Sequence, residues 1–186
     1  MKKIQILILM VLLVSCASTY DKNLEPSEAL NQVLSEKEFT IYSQWAEPQY
    51  TAAVSQLSSL GMFGVDNAGG RINIRGNTNY LTVQNDSVMA SLPFFGERQM
   101  GSSYSNIDQG INFRGIPEDF ETEQEGSIYK VSFSIRDSNS RSEKYDVRIR
   151  ITSKLKSTIN ITSTHRFSIR YQGNVEKADN NTKNLN

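Results

Sequence analysis

One cysteine, one histidine and one tryptophan are all that 186 residues provide of these types, and proline occurs only four times. Each scarcity removes a class of chemistry. With Cys16 alone, no disulfide can form within the chain and no cysteine-rich zinc site can be built. With His165 alone, the HExxH zinc pattern and any multi-histidine centre are out, and a Ser-His-Asp arrangement has a single candidate base. The Gly-x-Ser-x-Gly elbow is missing, as is a glycine-rich phosphate cradle closed by lysine, which argues against nucleotide binding. Twenty basic residues balance twenty acidic ones, so the basic footprint of a nucleic-acid binder is absent too. No apolar run approaches the ~20 residues of a spanning helix.

What is present begins at the N-terminus. Met1-Lys2-Lys3 is a short basic segment, and residues 4–14 are apolar apart from Gln5. This is the pattern of an export signal. It ends Leu13-Val14-Ser15-Cys16, which looks like a lipobox, a branched residue and two small or apolar ones before an obligatory cysteine. The plain alternative is a secretory signal with a chance cysteine. The lipid reading makes 1–15 a lipoprotein signal peptide, Cys16 the lipid attachment residue and 16–26 a tether. Two or three acyl chains at roughly 0.8 kcal/mol per buried CH₂ hold a domain stably on a membrane. Removing 1–15 takes Lys2 and Lys3 with it and leaves 18 basic against 20 acidic residues, a charge of −2. Position 17 is not Asp, and no acidic run follows Cys16. Both point to an outer-membrane lipoprotein facing the periplasm.

Residues 27–175 read as one β domain, with 176–186 a polar disordered tail. Ser27 is a candidate N-cap for a short helix carrying Ala29, Leu30, Val33 and Leu34 at helical spacing. From Phe39 the period changes to two, with Phe39, Ile41, Ser43 and Trp45 on one strand face. Tyr129, Val131, Phe133 and Ile135 alternate with polar residues, as do Tyr145, Val147, Ile149 and Ile151, then Ile159 and Ile161, then Phe167, Ile169 and Tyr171. These are half-buried strands with one wet face, joined by gaps too short for crossover helices, hence antiparallel. Gly126-Ser127 as a two-residue loop sets Glu123 opposite Lys130 and Phe120 opposite Phe133. Asn85-Asp86 sets Val83 opposite Val88 and Leu81 opposite Ala90. The loop Gly76-Asn77-Thr78-Asn79 sets Ile74 opposite Leu81 and Ile72 opposite Val83. The fold class is therefore all-β: an antiparallel meander of eight to ten strands closing into a barrel-like sheet or a two-layer sandwich, with a short N-terminal helix. Residues 46–70 and 93–110 read as irregular.

Several segments together carry a resemblance. They are Phe39-Thr40-Ile41 leading to Gln44-Trp45-Ala46, Gly76-Asn77-Thr78-Asn79-Tyr80-Leu81, and Asp86-Ser87-Val88 running into Leu92-Pro93-Phe94-Phe95-Gly96. Gly110-Ile111-Asn112-Phe113 and the strand pair at 129–137 and 145–151 continue the pattern. Over residues 36–175 the chain resembles the Bacteroidetes envelope lipoproteins grouped as domain of unknown function family 4251. The resemblance implies an all-β envelope domain and supplies no catalytic residues.

The remaining candidates are few. Phe94, Phe95, Met100 and Tyr104 lie in a glycine- and serine-rich loop. Two adjacent aromatics cannot share one strand face, so they form either a lip for a small apolar ligand at a barrel mouth or a plug of the protein's own core. Asp119, Glu121, Glu123 and Glu125 share a predicted strand face, as a weak calcium site or as a solvated edge with ion pairs. Asp66, Asn67 and Asp108 are weaker calcium candidates without EF-hand spacing. Ser153-Lys154-Leu155-Lys156 matches Ser-x-x-Lys but falls in a turn, without the companion Lys-Thr-Gly. His165 reads as a turn residue. The expectation is a membrane-anchored, non-catalytic binding module for a small apolar ligand, without cofactor, metal or nucleic acid. A structural protein docking on an outer-membrane component is the second reading, and a serine hydrolase a distant third.

Overall fold

A computed structural model of the chain describes residues 28, 30–31, 36–62, 70–100, 110–140 and 142–178. Alternation at period two turns into ten strands: β1 Glu38–Pro48, β2 Ile72–Asn73, β3 Tyr80–Gln84, β4 Ser87–Leu92, β5 Ile111–Gly115, β6 Glu118–Glu125, β7 Ile128–Arg136, β8 Lys144–Thr152, β9 Lys156–Ser163 and β10 Ile169–Lys177. All pairings are antiparallel. They form one sheet in the order β5-β4-β3-β1-β10-β9-β8-β7-β6, with β2 beside β1. The sheet curls into a half-barrel. Residues on its concave side, including Ile41, Leu81, Phe113, Val147, Ile149, Ile159 and Tyr171, are at most 1% exposed. Fully burying one such side chain contributes about 1.5–3 kcal/mol.

The two end strands of this order, β5 and β6, follow each other in sequence with only Ile116 and Pro117 between them. The curl therefore brings the ends of the sheet together at that corner. Phe113 of β5 meets Phe133 of β7 edge-on at 6.0 Å and Tyr145 of β8 at the same distance. The Ser138 N–H donates to the Asn112 carbonyl at 2.8 Å. Side-chain packing and this bond span the gap where, among the described residues, no ladder joins β5 to β6.

Two hairpins match the turn chemistry. Val83 pairs with Val88 and Leu81 with Ala90, and Glu123 pairs with Lys130. Asn85 and Gly126 take φ of 53° and 57°, the positive values that tight hairpin turns need at their first residue. Four expectations are corrected. First, β2 does not pair with β3: Ile72 lies opposite Ala46 and Asn73 opposite Trp45, both on β1. The β1-facing edge of β3 is already occupied by Glu38 to Tyr42, and β1 is long enough to take β2 beyond that point. Ile72 and Ile74 remain buried all the same.

Second, a bulge between Ser43 and Trp45 reverses the alternation of β1. Ser43 stays inside, Ala46 and Pro48 follow it, and Trp45 turns out to the convex face. Opposite the bulge stands Gly173, where a Cβ would come within 2.1 Å of the Tyr42 carbonyl oxygen. Third, a second bulge sits between Glu118 and Glu121, with Asp119 at φ 53°. Phe120 is thus not paired in register with Phe133, although the two rings stack at 5.9 Å. Glu118, not Asp119, joins Glu121, Glu123 and Glu125 on the outer face.

Fourth, residues 46–70 are not all irregular: α1 spans Ala52–Ser59. Thr51 caps it by accepting from the Val54 N–H at 3.2 Å. Only Val54 of this helix is buried, so its apolar periodicity is faint. Of the predicted N-terminal helix, residues 28, 30 and 31 are helical and Leu30 is 1% exposed in the core. The strand β10 continues through Lys177, into the segment read as tail. The export signal, Cys16, the tether, Tyr104, Asp66, Asn67 and Asp108 lie outside the described residues.

Candidate functional site

The rim of the half-barrel near the Phe94–Phe95 segment is built by three connections: 93–100 after β4, 137–143 between β7 and β8, and 164–168 between β9 and β10. They lock onto one another through backbone bonds. Gln99 N–H donates to the His165 carbonyl at 2.7 Å, and Phe167 N–H to the Glu97 carbonyl at 3.1 Å. Thr51, ahead of α1, donates its hydroxyl to Glu97. His165 is a turn residue: its ring Nδ1 bonds the Thr164 hydroxyl at 2.7 Å.

Under these loops lies a charged cluster that sequence reading did not single out. Arg166 is 3% exposed and Glu143 1%. Arg166 Nε donates to Glu143 Oε1 at 2.7 Å and Nη2 to Oε2 at 3.2 Å, a bidentate pair. Arg98 Nη2 donates to Oε2 at 3.2 Å, and the Ser163 hydroxyl to Oε1 at 2.6 Å. Arg166 Nη1 reaches the Gly110 carbonyl at 2.7 Å. Nearby, the Tyr145 hydroxyl donates to Asp137 Oδ2 at 2.5 Å, while Asp137 Oδ1 accepts from the Asn139 and Ser140 N–H groups. Burial raises the Glu143 pKa, but the hydrogen bonds of Arg166 and Ser163 and the charges of Arg166 and Arg98 outweigh it and leave the carboxyl below its ordinary value. Burial, and then the bond to Asp137, push the Tyr145 phenol far upward. Every group in the cluster is engaged with a neighbour, which suits a clamp between loops.

Phe94 belongs to this clamp. Its ring lies 5.2 Å from the Arg166 guanidinium. Gly96 packs on the same ring, so closely that a Cβ there would fall 2.8 Å from it. Phe94 and Phe95 are both partly buried against the core, and the Tyr171 hydroxyl holds the Pro93 carbonyl at 2.7 Å. Met100 is 62% exposed. The aromatic pair therefore plugs the rim, and Met100 alone of the described lip residues faces solvent broadly.

The acidic outer row of β6 is answered by lysines. Lys130 Nζ lies 2.6 Å from Glu125 and 3.4 Å from Glu123, and Lys144 Nζ 2.9 Å from Glu118. Among the described residues, no group of three or more His, Cys, Asp or Glu side chains could hold a metal ion. Ser153 and Lys156 flank the β8–β9 turn, where Leu155 has φ 54° and Lys156 Nζ bonds Asn174 at 2.7 Å. This is not the helical Ser-x-x-Lys geometry.

Among the described residues, the outer face carries clefts. One, of about 660 Å³, is lined by residues that include Glu47, Tyr50, Arg71, Arg148, Asn160, Thr162 and Arg170. A second, of about 610 Å³, adjoins it and shares Arg148 and Asn160. The signal in sequence was the row of arginines on the wet positions of β8 and β10, which alternation alone reads as ordinary solvated residues. Trp45, turned outward by its bulge, stands between Arg71 at 4.6 Å and Arg75 at 5.0 Å.

A ten-stranded half-barrel of one antiparallel sheet, with its clefts on the convex side, defines the class of domain. The chain belongs to the family described as domain of unknown function (DUF4251), whose model matches residues 22–175. No curated protein matches it. Among the described residues no helix is long and apolar enough to cross a membrane.

Proposed function

We propose that this protein is a lipid-anchored, non-catalytic binding module of the bacterial cell envelope, and that it binds through the polar cleft on the outer face of its sheet. The observation that carries the choice of site is the contrast between that cleft and the rim. The cleft presents hydrogen-bonding side chains to solvent from β1, β8, β9 and β10. The rim's charged groups are consumed by one another, and its aromatics are packed inward. The anchor rests on the Leu13-Val14-Ser15-Cys16 lipobox after an apolar export segment. A tether of about ten residues then keeps the domain within roughly 30 Å of the outer membrane, on its periplasmic side.

A second reading keeps the small apolar ligand at the rim, favoured by the exposure of Met100 next to the Phe94–Phe95 plug. One experiment separates the two. A photo-crosslinking residue is placed at Thr162 in the cleft or at Met100 on the rim, in intact cells. The expected outcome is an adduct from position 162 and none from position 100; an adduct from position 100 alone would move the site to the rim. For the anchor, Cys16→Ala should abolish incorporation of an alkyne-labelled fatty acid. Continued labelling would refute lipidation at Cys16.

A further inference from the structure

The convex face gathers positive charge where its own geometry makes that costly. Lys130 stands directly opposite Arg150 in the β7–β8 ladder, and Arg148 follows on the same face. Like charges in cross-strand register destabilise a sheet. Lys130 is committed to Glu125 and Glu123. Arg148 and Arg150 are exposed, and neither has a carboxylate partner among the described residues. Arg148 faces Asn160 on β9, which in turn faces Arg170 on β10. Arg170 donates Nε to Asn160 at 3.0 Å and lies 3.5 Å from Glu47. Arg71 shares that same carboxylate at 3.1 Å. The cleft thus holds three guanidiniums against the single carboxylate of Glu47.

The other walls narrow the class of ligand. Tyr50 is 66% exposed and backs onto Gly70, so its ring is offered to the cleft as a flat apolar surface. Gln49, Asn160, Thr162 and Ser168 add neutral donors and acceptors. Planar guanidiniums match the oxygens of carboxylate, phosphate or sulfate in bidentate fashion. Amides and hydroxyls match sugar hydroxyls, and an aromatic ring takes the apolar face of a sugar ring. An apolar ligand would strip water from the arginines without replacing it, which is costly. An anionic membrane surface would meet the carboxylates of Glu121, Glu123 and Glu125 on β6, two strands beyond β8 on the same face.

We infer that this cleft takes an anionic saccharide, with Arg148 and Arg170 holding its acid group and Tyr50 its ring; the inference rests on the binding function proposed above. Trp45 supplies the readout, because it is the only tryptophan and is stacked with Arg71, a residue of the cleft. The full chain in detergent is titrated with trigalacturonate, a sulfated chondroitin tetrasaccharide, neutral cellotetraose, and vesicles of phosphatidylglycerol or phosphatidylcholine. The acidic saccharides should shift Trp45 emission saturably, with the neutral one weaker by about tenfold or more. Arg148→Ala should weaken the acidic saccharides by about tenfold or more, without lowering the thermal midpoint. Arg148→Lys should recover only part of the loss, since it keeps the charge but not the fork. Equal binding of neutral and acidic saccharides, both weakened by Tyr50→Ala, would overturn the charge specificity and leave the cleft as the site. Response to phosphatidylglycerol vesicles alone would overturn it in favour of a lipid surface. No saccharide response together with a crosslink from Thr162 would sink the ligand class only; no response and no crosslink would sink the binding site as well.

Discussion

Two ion pairs in this molecule have nearly the same length and entirely different surroundings. Arg166 and Glu143 meet at 2.7 Å with side chains 2% and 1% exposed. Lys130 and Glu125 meet at 2.6 Å with side chains 35% and 64% exposed. Distance does not separate them; desolvation does. In water the surface pair gains little over its solvated components and loses side-chain freedom. Under the rim, both charges have lost their water, and the opposite charge takes its place together with Arg98, Ser163 and the Gly110 carbonyl. The buried pair joins the β7–β8 and β9–β10 connections and, through Gly110 and Arg98, the chain on either side of the 101–109 segment. The Lys130 pairs tie neighbouring strands that are already laddered.

The largest expected effect tests the buried side of this contrast. Glu143→Ala removes the carboxylate that Arg166 and Arg98 share and should cost about 3–5 kcal/mol in urea denaturation, with Arg166→Ala, which leaves Glu143 its Arg98 and Ser163 partners, costing less. A loss below 1 kcal/mol would mean that water reaches the site and that the pair resembles its surface counterparts. Next, Tyr145→Phe removes the donor to Asp137 Oδ2 while Asp137 keeps two backbone donors. The expected cost by the same measurement is about 1–3 kcal/mol.

A pH series sharpens the comparison without removing atoms from the wild type. The Glu143 carboxyl is held below its unfolded value. Its contribution is therefore complete above the ordinary glutamate pKa of about 4.3 and lost as pH falls through the lower folded value. Thermal midpoints of the wild type should drop across that acid window. Glu143→Gln should start lower at neutral pH and show a shallower acid decline. Equal slopes would place the acid sensitivity elsewhere, with Glu118, held low by Lys144, the next carboxyl to test. The smallest effect is expected on the surface: Lys130→Ala should leave the denaturation midpoint unchanged within error, and a clear drop would show that the outer charges act as a network.

The same contrast explains what could be read in advance. The four strands with strict alternation, β7 to β10, needed only the pleat and a wet face, while the registers among them were set by the fold. The Asn85-Asp86 and Gly126-Ser127 hairpins were equally local. The two bulges were not: nothing in Ser43-Gln44-Trp45 or Asp119-Phe120 announces an extra residue, and each turns a side chain against the parity of its strand. The best available signal was Gly173, whose missing Cβ is what lets β10 approach Tyr42 at the first bulge. The misplaced β2 had the same origin. Its apolar residues fit beside β3 or beside β1, and only the length of β1 decided between them.

Of the candidate sites, Phe94 and Phe95 were visible as an anomaly in alternation, but whether they open or close the rim depended on Arg166, 71 residues or more away in sequence. The outer cleft was invisible for a related reason. Arg71, Arg148 and Arg170 each look like solvated positions along their own segments, and strand order alone sets them around Glu47. By itself, then, the sequence determined the strand faces, the two tight hairpins, the absence of disulfide and histidine-metal chemistry, and the lipobox expectation at Cys16. These are properties of neighbours a few residues apart. The curl of the sheet, the buried Arg166–Glu143 clamp and the gathering of guanidiniums on the convex face were decided only by tertiary structure. Their energies depend on which distant charges share a burial environment, and burial is a property of the folded surface, not of any segment.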